Sequence, residues 1–323
     1  MIRRPPRSTH CISSAASDVY KRQGETTFAK SSLISYGGKG ANQALAAHLA
    51  GGKVNLIGCV GSDSEGDRYK RHLEQMGIDS SFLITSENHE TGSAFITVED
   101  SGENSIVVNS GANQNLKRNH IEKSIDLIKT SEIMLLQQEV PKETVQYACE
   151  IGNKYGLTII MNPSPLKTCF DVNNFPSDIL ILNEVEAEQL SGEKDPLKSI
   201  DIFDKFGLES VIITQGDGPI IFKNSSGPIK QFQPPKVQAI DTVGAGDTFA
   251  GTFATALSNK KSISDSIRYA GIAASISVTK PGAQGAIATK KEIESYVIQR
   301  KSKTSSINAH YNTHLTLPTI FIV

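Results

Sequence analysis

The sequence predicts an α/β fold of three layers: a mostly parallel central sheet with helices on both faces, carrying a small β lid. Three observations point there. Short, continuous apolar runs recur along the middle of the chain, and helical segments lie between them. Strands that are apolar along their whole length are buried on both faces, as in a parallel sheet sandwiched between helices. Two further runs joined by a glycine-bearing turn predict the lid.

In chain order, Ala41–Ala50 reads as a helix that opens straight out of a glycine-rich loop, and Val54–Val60 as a buried strand. Asp67–Gln75 is the next helix. Gly92–Glu99 and Asn104–Asn109, joined by Asp100-Ser-Gly-Glu103, read as a β-hairpin. A hairpin alone is marginally stable, so this insertion at about 92–109 is expected to pack on something. A lid, a dimer contact and a plain surface excursion all fit it. The alternation then resumes with strand Ile133–Leu136, helix Lys142–Tyr155, and strands Thr158–Met161 and Ile179–Leu182. Helices Glu184–Leu190 and Asp201–Phe206 and strand Val211–Thr214 follow. Sheets of this class bind ligands beyond the C-terminal ends of their strands.

Composition narrows the function. The chain has 323 residues, 38% hydrophobic and 21% charged, with a formal net charge of −1. Near-neutrality leaves no basic footprint for nucleic acid and no polybasic membrane patch. No apolar run approaches the ~20 residues of a membrane span. Cys11, Cys59, Cys149 and Cys169 lie far apart with no C-x-x-C pair, the pattern of reduced thiols in a cytosolic protein. The ends differ in character from the body. Residues 1–23 are basic, bear Pro and Ser, and lack the apolar stretch of a signal peptide. The tail, 304–323, is equally out of character. Both ends resemble translated adapter or vector sequence and are expected to lie outside the fold, leaving one domain over 24–303.

The most informative segment is Asp241-Thr-Val-Gly-Ala-Gly-Asp247-Thr-Phe-Ala-Gly251. Gly244, Ala245 and Gly246 let backbone approach a ligand closely, and an apolar helical pattern starts at once. The N–H groups of Gly246, Asp247 and Thr248 would be open donors at a helix N-terminus, where free N–H groups and the helix dipole favour anions. A carboxylate there repels phosphate unless it has work to do, such as taking a proton from a hydroxyl during phosphoryl transfer. The other reading of Asp247 is a helix cap beside a tight turn.

Other constellations are weaker singly. Tyr36-Gly-Gly-Lys-Gly-Ala-Asn-Gln43 lacks the Ser or Thr of a Walker A loop after its lysine. It is either an open backbone loop for a polyhydroxyl ligand or an ordinary glycine turn. Gln137-Gln-Glu139 and Asn183-Glu-Val-Glu186 follow buried strands. Asn183 and Glu186 suit a hydrated Mg²⁺ on a nucleotide, or simply a helix start with dipole-compensating acids. Thr214-Gln-Gly-Asp-Gly218 ends a strand in a glycine turn.

Together, the Gly38-Lys-Gly-Ala-Asn42 and Asp241–Phe249 motifs resemble the two signatures of the ribokinase-like carbohydrate kinase family. Asn183-Glu-Val-Glu186, Gln138-Glu139 and Lys280-Pro-Gly-Ala-Gln284 bring the chain closer to the ribose-phosphorylating branch than to fructokinase or adenosine kinase. The resemblance covers about 24–298. It implies transfer of phosphate from MgATP to the 5-hydroxyl of D-ribose, with another sugar or nucleoside as the alternative acceptor. It also implies Asp247 as base and Gly244, Ala245 and Gly246 as anion hole. Gly38, Lys39, Gly40, Ala41, Asn42 and Glu139 would bind sugar. Asn183, Thr214, Gln215, Gly216, Asp217, Gly218, Gly246 and Gly271 would bind nucleotide, and Glu186 would serve Mg²⁺. A K⁺ activator would take Asp241 and the carbonyls of Val243, Ser277, Lys280 and Gly282, and the hairpin would be a lid that makes a homodimer.

Three departures qualify that expectation. The family opens with a strand carrying Gly-Ser-x-Asn-x-Asp, whose Asp binds sugar, and body-like sequence here starts only at Gly24-Glu-Thr26. Asp18 lies too near to replace it, so a core strand, a lid strand and a carboxylate are expected to be missing, as in an inactive copy that only binds nucleotide. Ala286 stands where the family usually places a serine hydroxyl on the cation. Pro219 stands where a glycine is usual, and proline has no N–H to offer.

Overall fold

The computed structural model describes residues 11–16, 29–99, 104–167, 170–225, 227–304 and 319–323. The chain opens with β1 (Cys11–Ala16) and β2 (Ala29–Ser35), then α1 (Lys39–Leu49), β3 (Lys53–Leu56), β4 (Gly58–Gly61), α2 (Ser64–Gln75) and β5 (Leu83–Ser86). Next come β6 (Ser93–Glu99), β7 (Asn104–Asn109), α3 (Arg118–Lys123), α4 (Ile125–Lys129), β8 (Ile133–Leu136), α5 (Lys142–Lys154) and β9 (Thr158–Met161). The second half runs β10 (Ile179–Asn183), α6 (Glu184–Ser191), α7 (Pro196–Ile202), β11 (Ser210–Thr214), β12 (Ile220–Asn224) and β13 (Lys230–Phe232). It ends with α8 (Ala245–Ser258), α9 (Ile263–Ser277), α10 (Lys290–Thr304) and β14 (Thr319–Ile322).

The central sheet has eight strands in the order β13-β12-β11-β10-β9-β8-β14-β3. From β11 to β3 they run parallel, and β12 and β13 form an antiparallel edge. Successive residues of a strand point to opposite faces, and each face has its own core. Met134 and Leu136 of β8 enter one cluster with Val145, Ala148 and Phe203. Ile133 and Leu135 enter the other with Leu45, Phe249 and Phe253. That is the three-layer arrangement read from the continuous apolar runs. No helix among the described residues is long and apolar enough to cross a membrane.

The two ends set apart by sequence enter the fold. Thr319–Ile322 runs parallel between β8 and β3, with Ile320 facing Ile133 and Val54. Ile320, Phe321 and Ile322 are fully buried. Ile320 and Ile322 join one core while Phe321 joins the other, so this strand obeys the two-sided rule of its neighbours. Residues 11–16 pair parallel with β6 and antiparallel with β2, giving a four-stranded lid sheet β2-β1-β6-β7. The expectation that both ends lie outside the fold is therefore corrected for these two segments: Cys11–Ala16 is a strand of the lid sheet and Thr319–Ile322 a strand of the central sheet, although their composition had argued against it. Asp18 lies outside the described residues, as does the hairpin turn at 100–103.

Two smaller differences have local causes. The run Val54–Val60 breaks at Ile57, whose N–H goes to the Ile322 carbonyl at 2.8 Å, and the chain continues as β4 in a separate pair with β5. At Gly58 a Cβ would stand 2.9 Å from Leu83 Cδ2, so any larger residue there would push the Leu83 side chain aside. The helix expected over Asp201–Phe206 starts earlier, because Asp195 accepts from Leu197 N–H and Pro196 occupies the first turn; Phe203–Phe206 is a 3₁₀ turn.

Candidate active site

Parallel strands all end at one edge of the sheet, and the loops there carry the candidate residues. Gly38, at φ +98°, turns the chain into α1, so that Lys39, Asn42 and Gln43 occupy its opening turns. Gly244, at φ +78°, does the same for α8 and places Asp247 in its first turn. The Thr248 N–H is taken by the Gly244 carbonyl at 2.8 Å and that of Ala245 by Thr242 at 3.2 Å. Thr248 is thus not an open donor as expected, and Gly246 and Asp247 hold the first-turn N–H groups that lack an intrahelical acceptor. At Gly246 a Cβ would meet nothing within 4 Å, so the missing side chain leaves open space in front of the helix end.

Asp247 is 5% exposed and held from three directions. Asn42 Nδ2 donates to Oδ2 at 2.9 Å, Gln43 Nε2 donates to Oδ1 at 3.0 Å, and the Lys39 ammonium stands 4.0 Å from Oδ1. Its side chain caps nothing: no capping bond forms at the start of α8, which sets aside the helix-cap reading. Lys39 also donates its backbone N–H to Glu139 Oε2 at 2.7 Å. Burial pulls the Lys39 ammonium down, but the carboxylates of Asp247, Glu139 and Glu186 outweigh it and leave the group above its ordinary value. Burial pushes the Glu139 carboxyl up, against the opposing pull of Lys39.

A cavity of about 590 Å³ lies between this edge and the lid, walled by Gly38, Gly40, Gln138, Glu139, Ser93 and Asn109 among others. Ala41 lies on the same wall, so the expected sugar residues share one chamber except Lys39, Asn42 and Asp247, which do not line it.

The expected nucleotide and metal residues divide. Asn183 and Glu186 cap α6 reciprocally: Glu186 N–H donates to Asn183 Oδ1 at 2.8 Å and Asn183 N–H to Glu186 Oε2 at 3.0 Å. The helix-start reading accounts for one oxygen of each. Thr214 ends β11, and Gln215 to Gly218 form a tight turn closed by Gly218 N–H to the Gln215 carbonyl at 2.7 Å. Gly216 and Asp217 are exposed there. Gly271 instead sits in α9 against the sheet, where a Cβ would stand 3.0 Å from both Ile220 and Phe232 side chains; packing explains it. Asp241 Oδ1 accepts from Val243 N–H at 3.0 Å and Oδ2 from Gly282 N–H at 2.8 Å, which brings three of the expected cation residues together. Ser277 and Lys280 share one turn, closed at 3.1 Å. Ala286 is buried.

Four amides escaped the sequence reading as site residues. Gln43 also donates to Asn162 Oδ1 at 2.9 Å and accepts from Gln137 Nε2 at 2.7 Å, and Gln284 Nε2 donates to Asn42 Oδ1 at 3.0 Å. Asn162 follows the buried end of β9, the same signal that pointed to Gln137–Glu139 and Asn183. Gln43 and Gln284 stand inside motifs but carried no role.

The chain is similar to known proteins in both sequence and fold. Residues 9–290 match the pfkB family of carbohydrate kinases. A ribokinase of Haemophilus influenzae is 42% identical over 278 residues, 84% of this chain and 90% of that protein. The crystal structure of a ribokinase from Thermotoga maritima superposes with a TM-score of 0.79 at 33% identity, covering 90% of this chain and 97% of that one. An Arabidopsis thaliana ribokinase complexed with ribose and ATP superposes with a TM-score of 0.81 at 26% identity, over 89% and 96%.

Proposed function

The chain belongs to the pfkB family of carbohydrate kinases, and from that premise we propose that it transfers the γ-phosphoryl group of ATP to the 5-hydroxyl of D-ribose. The observation that carries this reading is Asp247, a buried carboxylate in the first turn of α8 beside an open glycine and 4.0 Å from an ammonium. In the proposed step Asp247 takes the hydroxyl proton as the sugar oxygen attacks phosphorus. The bond from phosphorus to the departing ADP oxygen breaks, and ADP leaves with the electron pair. Phosphoryl transfer of this kind depends mainly on positioning and charge stabilisation. The N–H groups at Gly246 and Asp247 supply donors, and the donors already on the Asp247 carboxylate offset its repulsion of the anion.

Lys39 has a double part. Its ammonium neutralises Asp247 at rest, and a phosphoryl group arriving beside them draws that charge toward itself, freeing the carboxylate for the hydroxyl. Glu139 fixes the Lys39 backbone and faces the cavity, where it accepts from sugar hydroxyls. Glu186 offers its second carboxylate oxygen to a hydrated Mg²⁺, an ion that takes few protein ligands and balances phosphate charge. Asp241 with the carbonyls of Val243, Ser277, Lys280 and Gly282 forms the place a K⁺ would take, one hydroxyl poorer for Ala286. Exposed Val107 and Val108 of β7 and Ile34 of β2 fit a homodimer made through the lid sheet. Unpaired, buried Cys59 and Cys149 fit a reducing, cytosolic setting.

The test is ADP release from the purified chain with MgATP, K⁺ and D-ribose, beside Asp247→Asn. Ribose-dependent turnover that falls by at least about 100-fold in the variant supports the assignment. Turnover indifferent to ribose, or equal in both proteins, sinks it.

A further inference from the structure

We propose that Gln284 and His72, neither of which touches Asp247, are positioning residues that set the orientation of the Asn42 amide on the base. The proposal rests on the reading of Asp247 as the base. The polarity of the chain of hydrogen bonds can be followed link by link. A carboxylate accepts only, so Asn42 must turn its NH₂ to Asp247 Oδ2, as it does at 2.9 Å. Its Oδ1 then faces away and needs a donor, which Gln284 Nε2 supplies at 3.0 Å. The second hydrogen of that Nε2 goes to the Tyr69 hydroxyl at 3.2 Å, and Tyr69 donates in turn to the Gly37 carbonyl. Gln284 Oε1 therefore accepts, and its partner at 2.8 Å is His72 Nε2. That nitrogen must carry hydrogen, so the geometry fixes the Nε2–H form of His72 from a carboxylate three links away.

The clamp is built to hold. Asn42 and Gln284 are each 6% exposed, and the His72 ring stacks on Tyr36 at 3.9 Å between centroids and 15° between planes. Three separate segments meet at Gln284: α1 through Asn42, α2 through Tyr69 and His72, and the loop before α10 through Gln284 itself. A flipped Asn42 would present a carbonyl to the Asp247 carboxylate and lose one of its two amide donors. Glutamine at 284 prevents the flip because only its NH₂ can satisfy Asn42 Oδ1 and Tyr69 together.

The experiment compares Gln284→Leu, Gln284→Glu, His72→Ala and His72→Gln with the unaltered chain. Gln284→Glu keeps size but replaces the NH₂ by an acceptor, which favours the flipped Asn42. Loss of alignment by an ångström costs up to about 100-fold in rate. The expected result is a kcat fall of about tenfold to 100-fold in both Gln284 variants, with KM for ATP and the thermal midpoint little changed. His72→Gln, which keeps a donor at the Nε2 position, should restore most of the kcat that His72→Ala loses. A kcat within twofold of the unaltered chain in both Gln284 variants overturns the proposal. So does a loss that tracks only the fraction folded. The ¹⁵N spectrum of His72 gives a reading that needs no turnover: a protonated Nε2 is expected, and an Nε2 without hydrogen would refute the relay even if the kinase reading stood. Correct tautomer with no ribose turnover would instead condemn the kinase reading and, with it, the base that the relay serves.

Discussion

Asn42 and Asp247 share a hydrogen bond of 2.9 Å although 205 positions separate them in the chain. The contact exists because α1 and α8 lie almost against each other's backbone. At Gly251, one turn beyond Asp247, a Cβ would stand 2.2 Å from the Gln43 carbonyl oxygen and 2.8 Å from the Ala46 Cβ. Backbone cannot rotate out of the way as a side chain can, so a methyl there separates the two helices.

Gly251→Ala is therefore expected to lose stability by about 1–3 kcal/mol, the usual range for overpacking. It should also lower kcat, because Asn42 and Gln43 move away from Asp247. Urea unfolding beside steady-state kinetics reads both, and unchanged values for both would show that the helices have slack.

Phe321 is fully buried in the core that also holds Leu136 and Met161. Phe321→Ala should lower unfolding free energy by about 3–5 kcal/mol, as for large-to-small changes in cores. An effect below about 0.5 kcal/mol, the scale of surface changes, would mean that the strand is not part of the folded sheet.

The fold was legible wherever burial leaves a continuous apolar signature. The strands Ile133–Leu136, Thr158–Met161 and Ile179–Leu182 stand within a residue of their expected bounds because both faces demand aliphatic side chains. Thr319–Ile322 carries the same signature, Thr-Ile-Phe-Ile, but is short and lies in a segment of foreign composition, so composition outweighed pattern. The place of Asp247 in the first turn of α8 and the glycine turns around it were legible because a carboxylate at a helix N-terminus is chemically out of place. The amide network was not. Gln and Asn are common surface residues, and only tertiary packing shows that Gln43, Gln137, Asn162 and Gln284 are buried donors and acceptors rather than solvated ones.

Glu139 gives a pH test. Burial raises its carboxyl above the ordinary value of ~4.3. A carboxyl raised on folding contributes stability that is fully present below that ordinary value and is lost as pH rises through the folded value. Near pH 7 the native state thus carries a penalty for ionised Glu139. Glu139→Gln removes it and should raise the thermal midpoint at pH 7, with the gain shrinking toward nothing below about pH 4. A midpoint lower at pH 7 than at pH 4, relative to the unaltered chain, would contradict the direction.

Burial pushes the Cys149 thiol up to about 12 and the Cys59 thiol up as well. Thiolate is the reactive form, so neither should be alkylated by iodoacetamide in the native state at neutral pH. Both should be alkylated in denaturant. Peptide mass mapping separates the cases, and a native adduct at Cys149 would show that its surroundings open.

The place of β14 bears on how the protein is made. Its two neighbours, β3 and β8, are complete once Leu136 has been synthesised, yet a gap one strand wide separates them until Ile322 emerges. Both inner edges then present unpaired N–H and C=O groups, a template for pairing with another chain. Closing the sheet therefore waits for a segment about 180 residues beyond β8. Polypeptides stalled before Thr319 should remain protease-sensitive and hold chaperones, and those extended through Ile322 should not.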